Sequence, residues 1–187
     1  MDARERHRRA TLEFDERIRL IPLDRWEDPT PCAQWDVATL VRHVIDEQRW
    51  TPRLLEGTTL EDAAAELATI PLGDDLLETW TEASRRARDA VDDDDALDGM
   101  VHTSGGVVPA TSYVAQLGLD LAVHAWDLAR AIGANERLDG TLVDDLVAEV
   151  AEHHDELTAS EAFADPVPVQ PTADTQTRLL AMLGRAR

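Results

Sequence analysis

Lysine is absent from this chain: all eighteen basic residues are arginine, a habit we read as GC-rich codon usage or adaptation to salt rather than as chemistry. Cysteine occurs once, as Cys32, which excludes an internal disulfide and any CxxC metal knuckle and fits a compartment that keeps thiols reduced. Long apolar runs are missing too. No stretch approaches the ~18 apolar residues that a membrane span needs, and the opening MDARERHRRATLEFDERIRL is charged throughout, without an apolar core of signal-peptide length. A cytoplasmic protein with no membrane partner is expected. There is neither a GxGxxG pattern nor a Walker loop, so a nucleotide cofactor is not indicated. The formal charge of −20 and pI near 4.4 oppose any surface that must grip phosphates, and nucleic acid is not expected as a partner.

What the chain does have is helix formers. Ala, Leu, Arg and Glu dominate while β-branched and aromatic runs are few, which predicts an all-α fold with at most a small hairpin. A length of 187 residues suits one domain spanning 1–187. The first helix is expected from near Asp2 to Ile21, with Leu12, Phe14, Ile18 and Ile21 as its apolar side and His7 solvated among arginines. Residues 22–35, PLDRWEDPTPCAQW, hold three prolines and predict an ordered loop anchored by Trp26, Cys32 and Trp35. With no base placed beside it by the sequence, Cys32 reads as a buried structural thiol.

Asp36 then caps a helix expected from Val37 to about Thr51, closed by Pro52. Val37, Leu40, Val41, Val44 and Ile45 form its core stripe, with His43 at the edge and Glu47 one turn on, as a solvated acid or a support for a nearby ligand. Thr59 and Asp62 predict the cap of a short helix reaching Ala68. The next helix, Asp75 to Val91, presents Leu76, Leu77, Trp80, Ala83 and Ala87 to the core. The acid run Asp92 to Asp95 lacks calcium-loop spacing and reads as a solvated turn. LDGMVHTSGGVVPA, from Leu97 to Ala110, predicts a hairpin about Ser104-Gly105-Gly106 carrying His102 on a strand face. A later helix is expected from Leu142 to about Glu156, capped by Thr141; His153 and His154 on it face different ways. A proline-spaced strap and a short helix ended by Gly184 complete the chain.

The stretch from Tyr113 to Gly133, YVAQLGLDLAVHAWDLARAIG, carries the chemistry. Tyr113, Leu117, Asp120, His124 and Leu128 recur at steps of three and four, the spacing of one helix face. Asp120 and His124 are therefore neighbours, with Cβ atoms about 5–6 Å apart, and could grip one divalent cation or simply bond each other. A third ligand must come from another helix, and His43 is the candidate; alternatively it is a core-edge histidine satisfied locally. Asp127 could accept the hydrogen bond that orients a ligating ring, or pair with Arg130.

Three stretches, TPCAQWDVATLVRHV at 30–44, DLAVHAWDLARAIG at 120–133 and RLLAMLGR at 178–185, together resemble the mycothiol-dependent maleylpyruvate isomerase N-terminal family, one of the DinB-like four-helix bundles. The resemblance implies a DinB-like bundle with a small hairpin and a short C-terminal helix. It also implies a divalent metal on His43, Asp120 and His124: zinc in the first place, nickel or iron as alternatives. Asp120 stands where the family's isomerase has glutamate, and that isomerase carries a further C-terminal domain with no counterpart here. The implied chemistry is activation of a low-molecular-weight thiol, mycothiol as co-substrate, for transfer to or isomerisation of an electrophilic small molecule. A non-catalytic metal- or small-molecule-binding module and a metal-free helical interaction domain stay open as alternatives, as does pairing into a homodimer through an exposed face.

Overall fold

The computed structural model describes residues 1–33, 35–153 and 163–186. Its described elements are α1 (Ala3–Ile18), α2 (Val37–Leu55), α3 (Leu60–Leu67), α4 (Leu76–Asp92), β1 (Met100–Thr103), β2 (Gly106–Pro109), α5 (Ala110–Ile132), α6 (Gly140–Glu152) and α7 (Thr175–Met182). Backbone proximity divides the chain into two compact units, Met1–Asn135 and Glu136–Arg187.

The first unit is the four-helix bundle. α1 packs on α5 and α2 on α4, while contacts between α2 and α5 and between α1 and α4 close the ring. The helices start where short polar side chains satisfy free backbone N–H groups: Asp2, Asp36, Thr59 and Asp75 each accept from the first turn they precede. α5 has no such side-chain cap; it follows Pro109 directly and ends at Gly133, whose φ of 71° needs no Cβ penalty. The antiparallel hairpin runs from Met100↔Pro109 to Thr103↔Gly106. Its Val101 is fully buried in a cluster with Leu54, Val91, Tyr113 and Val114, which fastens the hairpin to the bundle. His102 is half-buried on β1.

Three features of this unit differ from the sequence reading. His7 is buried at 1% exposure, its Nε2 3.1 Å from Gln48 Oε1. The inward stripe of α1 is His7, Ala10, Thr11, Phe14 and Ile18, and Leu12 is exposed; the stripe mixes polar and small residues, so apolar periodicity alone misses it. Second, α2 runs through Pro52 to Leu55. So near the helix end the proline forfeits one backbone bond, and continuing past it buries Leu54 in the hairpin cluster. Third, α1 stops at Ile18, short of Ile21.

Two contacts set helix spacing. Phe14 and Trp80 lie with ring centroids 4.7 Å apart, and Trp80 Nε1 donates to Asp15 Oδ1 at 3.0 Å, joining α1 to α4. Gly118 lets α1 approach α5 closely: a Cβ there would lie 3.0 Å from Arg6 Cγ and 3.2 Å from the His7 backbone nitrogen.

In the second unit α6 packs against α7. Asp139, rather than Thr141, caps α6 by accepting from Leu142 N at 2.9 Å, so the helix begins two residues earlier than read from sequence. His153 follows its last turn; His154 and the expected end at Glu156 lie outside the described residues. The proline-spaced segment is tied to α7 by Val167 N donating to Ala181 O at 2.9 Å. Among the described residues no helix is long and apolar enough to cross a membrane.

Gly118→Val forces a branched side chain into the α1 backbone and is expected to cost about 1–3 kcal/mol of stability, read from urea unfolding. Burial, opposed by the Gln48 hydrogen bond, lowers the His7 pKa from 6.5 to about 4. The unfolded chain then takes up a proton below pH 6.5 that the folded chain resists, so this contribution is whole above pH 6.5 and lost as pH falls toward 4. Between pH 7.5 and 4.5 the parent should lose on the order of 2–3 kcal/mol more than His7→Gln. Equal losses in the two proteins would show that His7 is not buried as the neutral ring.

Candidate metal centre

Three elements build the site: α2, α5 and the loop 22–36 between α1 and α2. The loop is closed by its own backbone. Ala38 N donates to Trp26 O at 2.9 Å, Val37 N to Asp28 O at 3.0 Å and Thr30 N to Trp35 O at 3.0 Å. Inside that frame Thr30 Oγ1 accepts from Cys32 N at 3.2 Å and donates to Trp35 O at 3.0 Å. The Asp36 side chain then caps α2 through Thr39 N at 2.7 Å. This turn delivers Cys32 and Trp35 to the end of α2 that carries His43.

α5 supplies the rest. It is buried over most of its length, and its residues 120, 124 and 127 share one face. His43 Nε2 lies 3.5 Å from Asp120 Oδ2, and His124 Nε2 lies 3.3 Å from Asp120 Oδ1. One ligand atom from each of His43, Asp120 and His124 falls within 4.8 Å of the others. Atoms bound at about 2.0–2.1 Å to one tetrahedral cation are about 3.3–3.5 Å apart, so the two imidazoles and the carboxylate fit a divalent ion in both donor type and spacing. The side chains of His43 and Asp120 keep 30% and 26% of their surface while that of His124 keeps 6%, so the cluster faces outward on one side only. Trp35 stands beside both rings, its centroid 4.8 Å from His43 and 5.8 Å from His124.

Behind the cluster, Asp127 is fully buried, and its Oδ2 is 3.1 Å from His124 Nδ1. That distance is the one the ring-orienting reading of Asp127 requires. Cys32 Sγ donates to the same Oδ2 at 3.1 Å and lies 3.7 Å from His124 Nδ1. The expectation of a buried thiol with no base beside it is corrected in both respects: Cys32 is only half-buried and stands against a histidine and an acid that are 92 and 95 residues away in sequence. A second trio of possible ligands, Cys32, His124 and Asp127, shares the His124 ring.

The charges are strongly linked. Burial opposes charge on Asp120, but His124 and His43 hold its carboxyl well below the usual carboxylate range. Burial likewise opposes the His124 imidazolium; the charge and hydrogen bond of Asp120, then Asp127 and Cys32, outweigh it and raise the ring well above its ordinary value. Glu47 moves the other way, raised by burial first and by the negative charge of Asp120 second. Farther along the same α2 face, Thr51 Oγ1 and Tyr113 Oη meet at 3.1 Å, and burial pushes the Tyr113 phenol up.

Trp35 and Cys32 are the site residues that the sequence reading did not assign. Their signal was the spacing of TPCAQWD, in which a threonine able to close a turn precedes a cysteine and a tryptophan just ahead of a helix cap.

A family model described as the mycothiol maleylpyruvate isomerase N-terminal domain matches residues 7–129, more than half of the 187-residue chain and all of the residues just described. Two uncharacterized proteins of Mycobacterium tuberculosis are each 28% identical over 191 aligned residues, covering 99% of this chain and 98% of their own length. The fold is similar to the crystal structure of the mycothiol-dependent maleylpyruvate isomerase, with a TM-score of 0.63 and 19% identity over 83% of this chain and 71% of that one. It is similar also to a histidine-to-alanine mutant of that enzyme, with a TM-score of 0.61 and 18% identity over 79% and 68% of the two chains. On the match of residues 7–129, the chain belongs to the mycothiol maleylpyruvate isomerase N-terminal domain family.

Proposed function

We propose that this protein is a divalent-metal-dependent enzyme that presents a low-molecular-weight thiol, mycothiol, as a thiolate to an electrophilic small molecule, either conjugating it or isomerising it by addition and release. The observation that carries this reading is the convergence of His43, Asp120 and His124 within 4.8 Å on a face open to solvent. Two imidazoles and one carboxylate are the donor set of an open, catalytic site rather than a closed structural one. The thiol named in the family's description supports mycothiol as the co-substrate.

His43, Asp120 and His124 would hold a divalent cation, zinc in the first place and nickel or iron as alternatives, and that ion would supply the lowering of a thiol pKa from its usual value of about 8.5 that makes a thiolate available at neutral pH. The protein's own groups do the rest. Asp127 keeps the proton of His124 on Nδ1 and leaves Nε2 to face Asp120 and His43. Trp35 walls the two rings and limits water on that side. Glu47, whose carboxylate is made more basic by burial and by the negative charge of Asp120, lies one helical turn beyond His43 and receives the thiol proton. The sulfur–carbon bond then forms at the electrophilic carbon. With an enone or epoxide, a C=C π bond or a C–O bond opens as sulfur adds, and Glu47 returns the proton to the carbon or oxygen left negative; with an alkyl halide the carbon–halogen bond breaks, halide leaves and the proton passes to solvent; in an isomerisation the sulfur–carbon bond breaks again and the thiol recovers its proton.

Metal analysis of protein purified without a histidine tag should find about one zinc per chain. His43→Ala and His124→Ala should each weaken zinc binding by on the order of 100-fold or more in a chelator competition. A parent that holds no divalent ion after metal supplementation leaves Asp120 and His124 as a hydrogen-bonded pair in a helical scaffold, and the enzymatic reading fails. With the zinc form in hand, thiol consumption with mycothiol and a panel of enones, epoxides and alkyl halides should depend on both electrophile and metal. Glu47→Gln should lower kcat by about 10²-fold or more with a small change in KM. A zinc-loaded protein that consumes thiol no faster than buffer across the panel is a binding module instead.

A further inference from the structure

The cysteine turn does more than anchor a loop. Thr30 and Trp35 fix the backbone on either side of Cys32 through the bonds at 3.2 Å and 3.0 Å, and Trp35 N closes on Cys32 O at 3.1 Å. The side chain so aimed does not meet an apolar wall. Its Sγ–H meets Asp127 Oδ2 at 3.1 Å, the same oxygen that lies 3.1 Å from His124 Nδ1. A fully buried carboxylate can keep one orientation only while its oxygens are met by donors, and here one oxygen is met from two directions by groups on different elements.

We propose that Cys32 is a positioning residue for the metal centre: its thiol, donating to Asp127, holds that carboxylate in the rotamer that keeps His124 Nδ1 protonated and turns Nε2 toward Asp120 and His43. The effect on metal binding rests on the functional reading above; the effect on the His124 ring does not. The thiol is a weak donor, but the bond is charge-assisted and sits on a backbone already closed by three hydrogen bonds, so little further freedom is lost in making it. Support behind a metal-bound histidine of this kind changes metal affinity by about 10–100-fold when removed.

The test compares Cys32→Ala, Cys32→Val and Cys32→Ser with the parent. Alanine and valine both remove the donor, and valine refills the volume; serine restores an O–H donor. Two readouts are taken: exchange of the His124 Nδ1–H proton in the metal-free, histidine-labelled protein by NMR, and zinc affinity by chelator competition. Cys32→Ala, or Cys32→Val should the alanine variant not fold, is expected to speed that proton exchange at least tenfold and to weaken zinc binding about tenfold, with Asp127→Asn weakening it at least as much. Cys32→Ser should stay within about threefold of the parent on both. The proposal is overturned if Cys32→Val folds with parental exchange and zinc affinity within twofold, because the thiol would then only fill space. Where the parent binds no zinc at all, the enzymatic reading fails, and the proton exchange alone decides whether Cys32 positions the ring.

Discussion

Helix α5 is buried over most of its length, so the ionisable groups it turns inward must find their partners inside the protein. That constraint explains the arrangement around it. Asp120 and Asp127 lie on either side of His124, one facing each ring nitrogen. The ring is therefore held from both edges. Only the Asp120 edge faces outward, toward His43, which gives the cluster a front where a ligand can enter and a back that fixes the ring.

The front and the back belong to different parts of the chain. α2 contributes His43 and Glu47 one turn apart, and its Gln48 and Thr51 bond His7 of α1 and Tyr113 of α5. A single helix thus carries the outer half of the cluster and the polar links that set its distance from two neighbours. The close approach at Gly118 sets the third side, where α1 lies so near α5 that a side chain at residue 118 would crowd the His7 backbone. Rigid elements of this kind suit a site that must hold three donors within a few tenths of an ångström.

Much of this could be read from sequence, and what could not be has a common cause. A helical repeat of three and four puts Asp120 and His124 together without knowledge of any other element, and Asp36, Thr59 and Asp75 announce helix starts by residue type alone. His43 could be named a candidate as a lone histidine at the edge of an apolar stripe, and the family resemblance pointed to the same residue, but nothing local says which helices meet. Cys32 and Trp35 escaped assignment because a loop's direction is set by bonds such as Val37 N to Asp28 O, which no periodicity encodes. His7 was misread for a related reason. A charged neighbourhood in sequence says little about a side chain whose partner, Gln48, is 41 residues away.

Whatever its origin, the arginine-only composition has a consequence for the chain's reactivity. Thiols, and amines when unprotonated, are the side chains that electrophiles most readily modify, and this polypeptide offers no ε-amine and one sulfhydryl, itself engaged by a buried acid. Covalent modifiers that need a side-chain amine find none on this chain, and a thiol-directed one finds a single, half-buried target.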